Sequence, residues 1–225
     1  MCTVTGGAHE PTLGAILAGG LSRRMGGGDK SLALLAGRPM LHHVRDRLAP
    51  QCAALILNAN GHPDRFKGSG LPVVRDTIAD WPGPLAGILA ALDWASVNRP
   101  DLGWVATAAA DTPLLPSDFV ARLHSARAVS GVTLACASSG GGRHPVEGLW
   151  PVSIRAELRA ALEAGERRVG MWMDGQGLAT AEWSTEPFDP FFNVNAPEDL
   201  AEAERILRTG TSAAPSARKP ATGRA

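Results

Sequence analysis

The chain has 225 residues, of which 44% are hydrophobic and 20% are charged. This is enough to bury one sizeable core and fits one domain, or two at most. Its 22 lysines and arginines balance its 22 aspartates and glutamates, which argues against a globally basic nucleic-acid-binding protein and against electrostatic attachment to an acidic membrane. We therefore expect a small substrate, with neither nucleic acid nor membrane as partner.

Short apolar runs alternate with longer helical patterns, which is typical of repeated βαβ units on a mainly parallel sheet. We predict an α/β fold. The predicted strands are Leu13–Leu17, Ala54–Asn58, Pro72–Arg75, Leu102–Thr107, Val132–Ala137, Val146–Trp150 and Leu178–Trp183. The predicted helices are Pro39–Ala49, Pro84–Ser96, Pro116–Ala128, Pro151–Glu163 and Pro197–Arg208. Proline favours the first helical position, which supports helix starts at Pro84, Pro116 and Pro197.

The two ends of the chain contain few large apolar side chains. We expect residues 1–11 and 209–225 to be disordered, because they bury too little to offset the entropy of ordering. Residues 12–208 are expected to form a single domain.

The three cysteines, Cys2, Cys52 and Cys136, are widely spaced, which indicates neither a disulfide framework nor a zinc site. No secretory leader and no apolar window of about 18 residues is evident. These features predict a cytoplasmic protein.

The first predicted strand opens into a loop that contains glycines 19, 20, 26, 27 and 28, together with Arg23, Arg24 and Lys30. Glycine lets backbone N–H groups approach phosphate oxygens, and the basic side chains supply positive charge. The loop is not a P-loop, since Asp29 stands where glycine should precede Lys30-Ser31, and its spacing is not that of a dinucleotide fingerprint. We interpret it as a phosphate-binding loop; a flexible loop with solvated charges is the alternative.

Polar residues follow several of the predicted strands. The second strand ends at Asn58, Asp76 follows the third, and Asp111 follows the small-residue run that ends at Ala110. Ligands bind beyond the carboxyl ends of parallel strands, so these side chains are expected to converge at one edge of the sheet. Each of them is also a common turn former.

Asp111 is the candidate metal ligand. Mg²⁺ prefers oxygen ligands and commonly takes one or two carboxylates together with substrate phosphates. The alternative is that Asp111 caps the helix predicted from Pro116. His144, in Arg143-His144-Pro145, is either a surface residue or a substrate contact.

The loop resembles the Leu-x-Gly-Gly-x-Ser-x-Arg-Met-Gly signature of nucleoside-triphosphate transferases, and further blocks resemble the molybdenum cofactor guanylyltransferases of the MobA type. The resemblance extends from about residue 14 to residue 207. Its blocks are residues 17–30, Asn58-Ala59-Asn60, Asp80-Trp81-Pro82-Gly83-Pro84-Leu85-Ala86-Gly87, Asp111-Thr112-Pro113, Gly165-Glu166-Arg167-Arg168-Val169 and residues 192–200.

The resemblance implies a three-layer, Rossmann-like nucleotidyltransferase fold and a set of roles. GTP would be bound by Leu17, Ala18, Gly19, Gly20, Lys30, Asn58, Asp76 and Asp111. Catalysis would rest on Arg24, Lys30 and Asp111, and Asp111 would hold Mg²⁺.

The resemblance also implies a pterin side of the site. The resemblance assigns it to Arg167, Arg168, Asn193 and Asn195, with Asn195 as an alternative metal ligand. Arg167 and Arg168 also fit an exposed basic helix start, and the Asn193-Val194-Asn195 block also fits a cap of the last helix. Ala196 stands where the family has threonine, which removes a cap hydroxyl.

The resemblance implies transfer of GMP from GTP to molybdopterin or molybdenum cofactor, with release of pyrophosphate and formation of the guanine dinucleotide. Cofactor-insertion proteins and apo-molybdoenzymes are the implied partners. Two alternatives stay open at this point: a cytidylyltransferase that acts on the same cofactor, and a non-catalytic nucleotide-binding protein that delivers it.

Overall fold

The computed structural model describes residues 10–19, 30–78 and 83–210 of the chain. Its main sheet contains seven strands: β1 (Thr12–Leu17), β4 (Ala54–Asn58), β5 (Val73–Val74), β6 (Trp104–Ala109), β7 (Leu134–Ser139), β8 (Gly142–Pro151) and β9 (Leu178–Trp183). A small antiparallel hairpin is formed by β2 (Leu34–Leu35) and β3 (Arg38–Pro39). The helices are α1 (Met40–Leu48), α2 (Pro84–Asn98), α3 (Phe119–Ser130), α4 (Arg155–Glu163), α5 (Val169–Gln176) and α6 (Pro197–Gly210).

The main sheet has the strand order β5-β4-β1-β6-β8-β7-β9. All neighbours pair in parallel except β8, which runs antiparallel to both β6 and β7. The carboxyl ends of the parallel strands therefore lie at one edge, where β8 begins. The prediction of a mainly parallel α/β sheet is confirmed.

Successive strand residues point to opposite faces of the sheet, so apolar side chains lie on both faces and helices pack against each. On β1, Leu13, Ala15 and Leu17 pack with α2, α4 and α5, whereas Ile16 packs with α1 and α3. This gives the predicted three layers. Helix α2 is apolar along most of its length, which fits its burial between the sheet and α4.

The start predicted for α3 at Pro116 is wrong. The helix begins at Phe119, because the Pro116 carbonyl accepts hydrogen bonds from the Phe119 amide (3.3 Å) and from Gln51 Nε2 (2.9 Å), which fixes a turn before the helix. Gln51 Oε1 also accepts from the Val120 amide (3.0 Å) and so caps the first turn of α3. Helices α2 and α6 begin at Pro84 and Pro197, as predicted.

Helix α5 and the β2–β3 hairpin were not predicted. Helix α5 has only 8 residues and contains Gly170 and Gly175, so its helical signal is weak. None of the helices in the described ranges is both long enough and apolar enough to cross a bilayer. The predicted disordered ends, residues 1–11 and 209–225, lie mostly outside the described residues.

We expect Leu89→Ala to lower the free energy of unfolding by about 2–5 kcal/mol, because Leu89 is fully buried between helix and sheet and its loss leaves a cavity. Val97 lies on the same helix but is 76% exposed, so Val97→Ala is expected to change stability by less than about 0.5 kcal/mol. Urea unfolding of both variants measures the difference, and equal losses would contradict this account of the core.

Candidate functional site

An ion pair between Lys30 and Asp111 lies at the carboxyl edge of the sheet. Asp111 follows β6 after one intervening residue, and Lys30 opens a short 3-10 turn at Lys30–Leu32. Lys30 Nζ lies 2.5 Å from Asp111 Oδ2, and the side chains are only 15% and 24% exposed. Two residues 81 positions apart in the chain are thereby joined in a partly shielded position.

Two asparagines from the segment before α6 complete this cluster. The Asn195 Oδ1 atom accepts from Lys30 Nζ at 2.7 Å. The Asn193 amide nitrogen, turned toward Asp111 as the surrounding acceptors require, donates to Oδ1 at 2.7 Å and to Oδ2 at 3.0 Å. The Val194 amide donates to the Asp111 carbonyl at 2.9 Å, which fixes the segment against the end of β6.

The last helix is capped by Asp199 and not by the side chains of Asn193 or Asn195, which was the alternative role predicted for them. Asp199 Oδ2 accepts from the backbone amides of Asn195 (2.7 Å) and Ala196 (2.8 Å), which is the reciprocal half of a capping box. The side chains of Asn193 and Asn195 are directed to Asp111 and Lys30 instead. Asp111 likewise caps no helix, since α3 begins only at Phe119.

A second polar cluster follows β4 and β5. Asn58 Nδ2 donates to Asp76 Oδ1 (2.9 Å), and Asn60 Nδ2 donates to Asp76 Oδ2 (2.6 Å). Asn58 is buried, and Gly87 of α2 lies so close that a Cβ there would stand 2.3 Å from Asn58 Oδ1. The missing side chain at position 87 is what lets Asn58 lie between the sheet and α2.

The end of β1 lies between the two clusters. The Leu17 carbonyl accepts from the Ala110 amide at 3.0 Å, and the Ala18 amide donates to the Asn58 carbonyl at 2.8 Å. These main-chain groups are therefore used within the protein. A nucleotide at Leu17, Ala18 and Gly19 has to be bound by other main-chain groups of the same residues.

Arg167 and Arg168 are exposed and lie just before α5. Both backbone amides donate to Glu166 Oε1 at 2.8 Å. Helix α5 leads through Gly177 into β9, and a Cβ at Gly170 in its first turn would lie 3.4 Å from Pro145 of β8. The two arginines therefore lie on a different segment from Asn193 and Asn195, which precede α6.

His144 is half-buried rather than a free surface residue. Its Nε2 atom lies 2.7 Å from Ser139 Oγ, which donates to Asp189 Oδ1 at 2.8 Å, and its ring packs on Phe191 at 4.9 Å between centroids. Burial lowers the pKa of His144. The network fixes the chain just before Asn193, so His144 supports the site indirectly.

Sequence reasoning missed Glu147, which lies on β8 and is 6% exposed. Burial raises its pKa to about 7, although hydrogen bonds from the Ala109 amide and from Thr112 oppose the rise. The available signal was a single acid inside the apolar run Val146–Trp150. Arg24 and Gly20, with the rest of the glycine loop at residues 20–29, and residues 80–82 lie outside the described residues.

The donor set suits a hard divalent cation that receives most of its ligands from elsewhere. The described ranges contain no cluster of three or more His, Cys, Asp or Glu side chains placed to hold a metal. Two hard oxygens, Asp111 Oδ2 and Asn195 Oδ1, nevertheless converge on one cationic point, the Lys30 ammonium. Such a pair fits Mg²⁺ that binds chiefly through substrate phosphates and water.

Comparison with known proteins places the chain in a family. The model of the MobA-like NTP transferase domain matches residues 14–177. The chain belongs to the MobA-like NTP transferase family. It is therefore a nucleotidyltransferase.

Two of the most similar relatives of this MobA-like protein are named molybdenum cofactor guanylyltransferase. That of Nitrobacter hamburgensis is 56% identical over 197 residues, which cover 87% of this chain and 94% of the relative. That of Rhodopseudomonas palustris is 54% identical over 199 residues, which cover 88% of this chain and 95% of the relative.

Solved structures support the fold of this MobA-like chain. The molybdopterin-guanine dinucleotide biosynthesis protein A of Archaeoglobus fulgidus superposes with a TM-score of 0.67 at 24% identity, covering 88% of this chain and 99% of that one. A CMP:2-keto-3-deoxy-manno-octonic acid synthetase in complex with CTP also superposes with a TM-score of 0.67, at 13% identity, covering 89% of this chain and 100% of that one. The Rossmann-like nucleotidyltransferase fold is confirmed.

Gly87→Ala is expected to push the Asn58 amide away from Asp76 and to lower the free energy of unfolding by about 1–3 kcal/mol, since the added methyl group overlaps a buried side chain. Gly175, in α5, offers a matched control because a Cβ there meets no atom within 4 Å. Gly175→Ala is expected to raise stability by about 0.5 kcal/mol. Urea unfolding tests both, and a stabilised Gly87→Ala protein would refute the close approach.

Proposed function

We propose that this chain is a molybdenum cofactor guanylyltransferase, which transfers GMP from GTP to molybdopterin or molybdenum cofactor and releases pyrophosphate. The names of the relatives support the reaction. Within the structure, the observation that carries the proposal is the meeting of Lys30, Asp111, Asn193 and Asn195 at the carboxyl edge of the sheet. Residues 12–208 act as one nucleotidyltransferase domain in this proposal.

The reaction is an in-line displacement. A terminal phosphate oxygen of the pterin forms a bond to the α-phosphorus of GTP while the bond from that phosphorus to the β-phosphate bridging oxygen breaks. Pyrophosphate leaves with the electron pair of that bond. The attacking phosphate monoester is already ionised near neutral pH, so no protein nucleophile is needed and the protein has to align two anions.

The charged groups of the cluster reduce the repulsion between these anions. Lys30 moves its ammonium group from Asp111 to the phosphates, and Arg24 supports it from the glycine loop. Asp111 would hold Mg²⁺, with Asn195 Oδ1 as a candidate second oxygen. When bound, this ion supplies charge neutralisation at the transferred phosphate and at the leaving pyrophosphate.

The remaining residues divide between the two substrates. Asn58 and Asp76, with main-chain groups of Leu17, Ala18, Gly19 and Gly20, bind the nucleoside end of GTP. Arg167 and Arg168 are exposed cations, and in this proposal they bind the anionic pterin substrate.

The proposal places the reaction in the cytoplasm, where GTP is available. Cys52 and Cys136 both carry free thiols, which fits a reducing compartment. Cofactor-insertion proteins and apo-molybdoenzymes are the partners that would receive the product.

Asp111→Ala is expected to lower turnover by at least about 10²-fold, because it removes the anchor for the charge that stabilises the transition state. The fold is expected to persist, since Asp111 is a partly exposed side chain beyond the end of β6. Asp101→Asn is the control, because Asp101 lies in the loop at the opposite edge and pairs with Arg99. Steady-state pyrophosphate release measures both, and Mg²⁺-dependent turnover retained by Asp111→Ala would refute the metal role.

The base and the acceptor are tested together by incubating the purified chain with molybdopterin and either GTP or CTP. We expect pyrophosphate release with GTP that depends on molybdopterin, and little with CTP. Preference for CTP would identify a cytidylyltransferase. Nucleotide binding without any pyrophosphate release would instead favour a cofactor-delivery protein.

A further inference from the structure

The pairing register of strand β8 shifts where the strand passes the functional site. It pairs with β6 as far as Thr107 opposite Gly148, and on its other side Cys136 opposes Gly148 while the next residue, Ala137, opposes His144. The residues between Gly148 and His144, which are Pro145, Val146 and Glu147, therefore form a bulge.

The bulge is fixed by a buried hydroxyl group. Thr107 Oγ1 donates to the Val146 carbonyl at 2.6 Å and accepts from Trp150 Nε1 at 2.9 Å. The path of the chain between Val146 and Trp150 is thus defined by contacts within the core. The side chain of Glu147 leaves this bulge toward the end of β6.

Glu147 replaces the main-chain partner that β6 loses at the bulge. Its Oε1 atom accepts from the Ala109 amide at 3.3 Å and from Thr112 Oγ1 at 3.0 Å. Ala109 and Thr112 flank Asp111, and the Thr112 amide also donates to the Ala109 carbonyl at 3.3 Å. One carboxylate oxygen therefore closes the turn that presents Asp111.

Burial of the Glu147 carboxylate lowers the free energy of unfolding. The contacts described for Glu147 are an amide and a hydroxyl group rather than a cation, and the nearby Asp111 charge is unfavourable to it. A buried acid without a cationic partner lowers stability compared with an apolar residue of similar size. Its contribution is therefore to the shape of the Asp111 turn.

We propose that Glu147 is the positioning residue for Asp111. By accepting hydrogen bonds from the Ala109 amide and Thr112 Oγ1, it orients the Asp111 carboxylate toward Lys30, Asn193 and the incoming metal–triphosphate. The inference rests on the proposed role of Asp111 as metal ligand. It concerns the orientation of that ligand, and Glu147 itself touches neither substrate nor metal.

The test compares two substitutions at one position. Glu147→Gln keeps an oxygen that can accept from Ala109 and Thr112, whereas Glu147→Ala removes it. Mn²⁺ serves as the probe, and its binding to the full chain in the presence of GTP is followed by electron paramagnetic resonance. The values of kcat, KM for GTP and Tm are measured in parallel.

We expect Glu147→Ala to weaken Mn²⁺ binding about tenfold and to lower kcat about tenfold, as for other residues that orient a metal ligand. Its KM for GTP is expected to stay within about twofold of the parent value. The Glu147→Gln protein is expected to stay within about twofold of the parent in all three quantities. Leu89→Ala controls for stability, because it weakens the core without touching the Asp111 turn. Its Mn²⁺ binding is expected to match that of the parent chain.

Thr112→Val keeps the inference testable if Glu147→Ala does not fold. It removes one of the two contacts, so a smaller loss of Mn²⁺ affinity is expected. Normal Mn²⁺ binding by Glu147→Ala, or by Thr112→Val where Glu147→Ala is unfolded, would overturn the inference, as would a Glu147→Gln protein as defective as Glu147→Ala. If Asp111→Ala itself binds Mn²⁺ normally, the proposed metal role fails instead.

Discussion

The ion pair between Lys30 and Asp111 is the constraint on which the functional site depends. It connects the residue that follows the glycine loop to the end of β6, and Asn193 and Asn195 join it from the segment before α6. Because both charges are mostly shielded from water, each requires its partner, and attraction between them is stronger than on an open surface. Three separate parts of the chain are thereby held at one point.

The sheet explains why this point lies where it does. Parallel strands deliver Leu17, Asn58 and Asp111 to the same edge, and the antiparallel strand β8, which begins at that edge and runs away from it, carries Glu147. The bulge in β8 lets the Glu147 side chain reach the Ala109 amide and Thr112 Oγ1 at the end of β6.

The sequence predicts the architecture well where the signals are local. The apolar run of β1, the alternation of strands and helices, and the polar strand ends Asn58, Asp76 and Asp111 are all legible without coordinates. The helix start predicted at Pro116 is wrong because the turn there is fixed by Gln51, which is 65 residues away in the chain. The contact of Asn195 with Lys30 spans 165 residues, and the role of Glu147 depends on a bulge, so neither follows from periodicity.

The proposed reaction requires the Lys30–Asp111 ion pair to break, so that each charged group takes a new partner. A lysine ammonium is a compact charge on a flexible stem with three donors, so it can pass from a carboxylate to phosphate oxygens without losing hydrogen bonds. As Lys30 leaves, Asp111 and Asn195 present two oxygens that require a new cation. In the proposed reaction, the triphosphate would supply the anion that attracts Lys30, and the Mg²⁺ proposed to arrive with it would supply the cation that replaces it. A ligand that brings only one of the two charges would leave either Lys30 without a new anion or Asp111 without a new cation, which would make it a poor substitute.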